Sequence, residues 1–312
     1  MPVPVYLFTG FLESGKTSLI KETFMDEGFY EGEKTVLVIC EDGVEKYEES
    51  FVKEYNMYVV TCDKKEALND VLFDKIEYFY HPDRVMIEYN GTWSVTDLLN
   101  VQLPHNWVYA QIIATVDAST FSLYMNAMRS VMYEQLLHAE LIICNRCDET
   151  TKKSMLRGNI KAINKAAQIV YEHRDGTVST AQEEPLPFSI DSDYLEISDD
   201  DYGLWYIDFM DKPELYDGKT IKVKGEVLRL GDVGANAFVL GRFAMVCCAD
   251  DTSMVALLCE GKQAKELKLN DWVEVTAYVH VERDSNGDLM PVLAIKELQK
   301  VEALEDPLVY FN

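Results

Sequence analysis

Eight residues near the N-terminus, Gly10-Phe11-Leu12-Glu13-Ser14-Gly15-Lys16-Thr17, constrain this chain more than any other feature. They follow the strand-like run Val3 to Thr9 and precede the helical stretch Ser18 to Met25, so the glycines fall at a strand-to-helix turn. Gly10 and Gly15 permit a backbone tight enough for successive amides to converge on one point, and the helix adds its positive end there. The pattern G-x-x-x-x-G-K-[ST] in that context reads as a phosphate-binding loop, with Lys16 reaching the β- and γ-phosphates and the Thr17 hydroxyl ligating Mg²⁺. Gly10, Glu13, Ser14, Gly15, Lys16, Thr17 and Ser18 are the candidate nucleotide contacts. A glycine-bearing turn with chance Lys and Thr is the bland alternative, and it leaves the matched strand, loop and helix unexplained.

Around this turn, short β-rich runs alternate with helical patterns as far as Tyr171: Val3 to Thr9, Thr35 to Cys40, Tyr58 to Thr61, Arg84 to Glu88, Gln111 to Val116, Glu140 to Asn145 and Gln168 to Tyr171. Lys64 to Tyr80 carries apolar residues at three- and four-residue spacing, as an amphipathic helix does. The expected fold class is α/β, a P-loop NTPase parallel sheet with flanking helices, over residues 1–180. Residues 181–216 read as an acidic linker, with Leu204 to Phe209 a tether across the first domain. Residues 217–312 are β-rich, with five long runs and an Asn286-Gly287 turn, and are expected to form a small all-β, OB-like barrel domain.

Two further segments deliver polar residues from the ends of apolar strands. Leu141 to Cys144 leads into Asn145-Arg146-Cys147-Asp148; a carboxylate at Asp148 can accept the N1 and N2 protons of guanine, and Asn145 would brace the loop. Val85 to Ile87 leads into Glu88, and ligands of open α/β sheets bind at the carboxyl ends of strands. Glu88 is therefore placed beside Lys16 as the second catalytic candidate and, with Thr17, as a magnesium ligand.

Together these residues resemble the CobW-like GTPases, the group that includes the hydrogenase and urease nickel chaperones. The resemblance rests on G-F-L-E-S-G-K-T at Gly10 to Thr17, E-x-x-G at Glu88 to Gly91, V-D-A at Val116 to Ala118, N-R-C-D at Asn145 to Asp148 and I-N-K-A-A at Ile163 to Ala167, and covers about the first 175 residues. It implies slow GTP hydrolysis with Mg²⁺, coupled to delivery of a metal (zinc, cobalt or nickel) to a metalloprotein or transporter client. The chain departs from the family twice: Cys62 stands alone where a G-C-x-C-C segment is usual, and Arg146 replaces a Lys. The last 95 residues or so, including Phe238 to Asp251 and Pro307 to Tyr310, resemble the soluble C-terminal domain of YcgQ-type permease-associated proteins.

Charge narrows the partners. Lys and Arg number 29 against 54 Asp and Glu, a net charge of −25, which repels phosphate backbones and anionic lipids. Nucleic-acid binding and direct membrane insertion are not expected, since residues 219–312 also carry no basic cluster and no apolar stretch approaches a bilayer span. An odd count of 7 Cys without a signal peptide fits the cytoplasm. Cys247 and Cys248 point to opposite faces of a strand, so they can share an ion only across a bulge and at least one reads as a packing residue, and the C-x-x-C spacing of Cys144 and Cys147 reads as coincidence. Against the GTPase stand two alternatives: a nucleotide- or metal-binding regulatory or scaffold protein without turnover, and an ATP-dependent enzyme.

Overall fold

Strands and helices alternate through the first half of the chain, in the order β1 (Val3–Thr9), α1 (Lys16–Met25), β2 (Thr35–Ile39), α2 (Glu49–Glu54), β3 (Met57–Thr61), α3 (Asp70–Tyr80), β4 (Arg84–Glu88), α4 (Val95–Leu99), β5 (Trp107–Asp117), α5 (Phe121–Ala127), α6 (Arg129–Leu136), β6 (Leu141–Cys147), α7 (Lys153–Ile163), β7 (Gln168–His173) and β8 (Val178–Thr180). The computed structural model describes residues 2–180, 186, 188–231, 234–248, 251–284 and 287–311, leaving aside the side chains of 230, 231, 235, 246–248 and 251. Cys247 and Cys248 as side chains, Asn286 and residues 181–185 and 187 of the expected linker thus lie outside the described residues.

The sheet order is β3-β2-β4-β1-β5-β6-β7-β8, parallel throughout except for the antiparallel β7–β8 pair. β4 is buried along its whole length and β2 along nearly all of it, because both faces of a parallel sheet are covered by crossover helices. This is the expected P-loop NTPase-like α/β architecture. Register then fixes the working edge: Glu88 pairs with Phe8 of β1 and with Ile39 of β2, so its carboxylate emerges level with the start of the Gly10 loop and of the loop after β2.

Two compact units share the chain, the first Met1–Lys152 and Ile163–Gln182, the second Lys153–Ala162 and Glu183–Asn312. The second contains β9 (Tyr194–Glu196), α8 (Tyr202–Asp211), β10 (Thr220–Gly231), β11 (Gly234–Cys248), β12 (Asp251–Glu260), β13 (Trp272–Arg283), β14 (Leu289–Lys300) and β15 (Leu308–Val309). Its pairings run from β10 to β11, β12, β14, β13 and back to β10, with β12–β14 parallel and the others antiparallel. Leu204 to Phe209, expected as a tether, instead forms the middle of α8. Trp205 and Phe209 are fully buried there and stack at 5.0 Å, since each large aromatic contributes about 1.5–3 kcal/mol only if its surface leaves water. The α7 residues Lys153–Ala162 belong to this second unit, where Asn159 donates to the Phe311 carbonyl at 2.7 Å. Among the described residues no helix is long and apolar enough to cross a membrane.

Candidate functional site

The turn after β1 is a closed cradle. Gly10 and Gly15 have φ of 127° and 100°, and a Cβ on them would stand 2.3 Å from the Thr115 carbonyl oxygen and 2.5 Å from Asn145 Nδ2, so only glycine fits either place. Ser14 shares a hydrogen bond with Thr115 at 2.6 Å, and its amide donates to the Phe11 carbonyl at 3.0 Å. Lys16 opens α1 with its ammonium folded back over the loop, donating to the Gly10 and Phe11 carbonyls at 2.7 and 2.9 Å and pairing with Glu41.

The strand ends expected at the site are brought to it. Thr17 Oγ1 donates to Glu88 Oε1 at 2.6 Å, and Tyr47 from the loop after β2 donates to Glu88 Oε2, also at 2.6 Å. Burial, with the Glu88 charge beside it, pushes the Tyr47 hydroxyl above its ordinary range, so Tyr47 stays a donor. Asn145 donates to the Ser14 carbonyl at 2.6 Å, while Arg146, at φ 56°, reaches the Glu13 carbonyl at 2.9 Å and the Asp117 carboxylate. The segment from β6 is therefore bolted to the phosphate loop by two side chains.

Asp148 lies apart from that junction. One oxygen takes the Thr150 amide at 2.9 Å and hydroxyl at 2.6 Å, and the other faces Arg174 at 3.9 Å. The Thr150 contacts hold its carboxyl below the usual range, so it is an ionised acceptor. A cavity of about 500 Å³ runs beside α1 between Ser18, Leu19, Asn145, Arg146, His173 and Arg174; Asp148 does not line it but faces Arg174, which does.

Several residues of the site escape sequence reasoning. Gln135 of α6, buried, takes the Thr9 hydroxyl and, at 3.2 Å, the Gly10 amide, and donates to the Trp93 carbonyl at 2.9 Å. A lone Gln in a helix carries no motif that would have flagged it. Nor is Cys62 alone: Ile39 pairs with Thr61 and the Cys62 amide donates to the Ile39 carbonyl at 2.8 Å, which brings Cys40 alongside, while the Cys62 thiol donates to the Lys64 carbonyl at 3.4 Å. Two thiols still fall short of a cage, and among the described residues no group of three or more His, Cys, Asp or Glu gathers at a metal-binding spacing. Cys144 and Cys147 are both buried within β6.

The family model described as the CobW/HypB/UreG nucleotide-binding domain matches residues 4–171, more than half of the 312 residues. The chain belongs to the CobW/HypB/UreG family. A second family model, described as the DUF1980 C-terminal domain, matches residues 174–311. Among solved structures, zinc-bound YjiA GTPase from E. coli is 15% identical, with 94% of this chain and 89% of that one covered at a TM-score of 0.42. Hydrogenase maturation factor HypB from Archaeoglobus fulgidus is 17% identical, with 56% of this chain and 82% of that one covered at a TM-score of 0.38. Similarity at this level carries no residue assignment. No curated protein matches the chain. The cradle built on Gly10 to Thr17 lies within the residues that the CobW/HypB/UreG nucleotide-binding domain matches.

Proposed function

We propose that the first unit binds GTP with Mg²⁺ and hydrolyses it slowly, as a cytoplasmic switch in metal trafficking. The observation that supports this reading is the pair of hydrogen bonds from Asn145 and Arg146 to the Ser14 and Glu13 carbonyls, which joins the end of β6 to the Gly10–Thr17 loop. The cradle suits phosphate: its glycines admit no side chain, the α1 N-terminus faces it, and Lys16 stands inside it. Thr17 and Glu88, already joined through one hydrogen bond, would hold magnesium, which supplies positive charge against the phosphate oxygens. Asp148, kept ionised, would accept guanine protons at the far end of the cavity lined by Asn145 and Arg174.

The engagement of Asp148 with Thr150 favours a second reading in which base selectivity is weak and ATP competes. Titration of the full chain with labelled GTP, chased with GTP or ATP, separates the two. Substituting Lys16→Ala is expected to abolish binding with an unchanged circular dichroism spectrum, and parent-like affinity in that variant would remove the phosphate role. Phosphate release at the buffer rate, with and without Zn²⁺, Co²⁺ or Ni²⁺, would favour a non-hydrolysing scaffold. In a thermal-shift panel, a nucleotide at a hundredfold excess over Kd should add about 2.7 kcal/mol to stability.

For the second unit we infer an OB-like barrel, supported by the cycle of pairings from β10 through β11, β12, β14 and β13. Its part in recognising a metalloprotein or transporter client belongs to the same proposal.

A further inference from the structure

One carboxylate joins the two walls of the phosphate cleft. Glu41, in the loop after β2, pairs one oxygen with the Lys16 ammonium and accepts the Gly91 amide on the other at 3.2 Å. The paired side chains are 2% and 8% exposed, and burying two charges is costly unless their remaining hydrogen-bonding capacity is met. Here it is met, because the Gly10 and Phe11 carbonyls take further Lys16 protons. Gly91 can reach the same carboxylate because its backbone lies against the loop, where a Cβ would stand 2.3 Å from the Gly10 carbonyl oxygen.

An ammonium and a main-chain amide facing each other across the end of a phosphate loop make the donor pair that a terminal phosphoryl group needs. A carboxylate offers that pair two oxygens and one charge, and a terminal phosphate offers three oxygens and more charge. We propose that Glu41 is an internal competitor for the terminal phosphate, the side chain that sets this protein's preference between nucleoside triphosphate and diphosphate. The inference rests on the nucleotide reading above and adds to it a determinant of specificity. A triphosphate exchanges its last phosphoryl group for the Glu41 carboxylate on Lys16 and Gly91, whereas a diphosphate leaves the Gly91 contact to Glu41. The exchange also reaches the rest of the loop, which is tied to the cradle and α1 by Val44 on Glu13 at 2.7 Å, Glu45 on Ser18 and Lys21, and Tyr47 on Glu88.

The test is a titration of the full chain, with Mg²⁺, by a fluorescent diphosphate and a non-hydrolysable triphosphate analogue of guanosine, comparing the parent with Glu41→Gln and Glu41→Ala. Glutamine keeps the shape and removes the charge, so triphosphate affinity should rise about tenfold while diphosphate affinity stays near the parent's. A damaged fold would weaken both ligands together and lower the thermal midpoint, so the ratio is read in variants that melt with the parent. A ratio unchanged in both variants overturns the role of Glu41 and leaves nucleotide binding standing. A parent that binds neither ligand overturns the nucleotide reading and this inference with it.

Discussion

Cys62 acquires its chemistry from a neighbour 22 positions away in the chain. The neighbouring Cys40 thiol holds its thiol down at about 7, against the burial that opposes ionisation, while Cys40 is pushed up in turn. Thiolate ultraviolet absorbance, taken as parent minus Cys62→Ser, should therefore rise through a midpoint near pH 7. In Cys40→Ala that neighbour is gone and the midpoint should move up towards the ordinary thiol value; an unmoved midpoint would show that Cys40 is not the cause. Legibility at this scale followed motif density. Gly10, Gly15, Lys16 and Thr17 announce themselves because phosphate cradling demands those residue types at those intervals, and Glu88 because it ends an apolar strand. Tyr47 and Gln135 do not, since a Tyr and a Gln carry no motif until packing turns them inward, and Glu41 reads only as one of an acidic segment after the second strand, a solvated face rather than a partner of Lys16.

Helix starts show how far periodicity reaches. Apolar spacing predicts a helix over Lys64 to Tyr80, yet α3 begins at Asp70 because Asn69, in an extended conformation, accepts the Leu72 amide at 3.1 Å. The residues before it make a short 3-10 turn at Lys65–Ala67 and bury Leu68, which satisfies the same apolar pattern without α-helix. Asn69→Ala should cost about 1 kcal/mol by chemical denaturation, and a change within error would mean that Leu72 finds water as readily. Element α8 is the opposite case. Its acidic flank, Asp191 to Asp201, reads as linker, and only the sheet from β10 onward supplies the surface that makes burial of Trp205, Phe209 and Tyr216 worthwhile. Tyr216 then donates to the buried Asp208 at 2.8 Å, a contact that seven intervening residues conceal.

At the scale of the molecule, a charge of −25 makes self-repulsion a term of its own. Raising the ionic strength from 0.01 M to 0.15 M shortens the screening length from about 30 Å to about 8 Å, so the thermal midpoint should rise by roughly 2–4 °C in a salt series. A fall would mean that pairs such as Arg157–Asp211 and Lys222–Glu196 outweigh the repulsion. The sequence by itself determined the parallel sheet, the phosphate loop and the β-rich second half, because hydrophobic period and glycine placement are local properties. Tertiary structure alone decided that α7 contributes to the second unit, that Cys40 meets Cys62, and that Glu41 bridges Lys16 and Gly91. Those outcomes depend on which strands become neighbours and in what register, and that is set by burial summed over the whole chain.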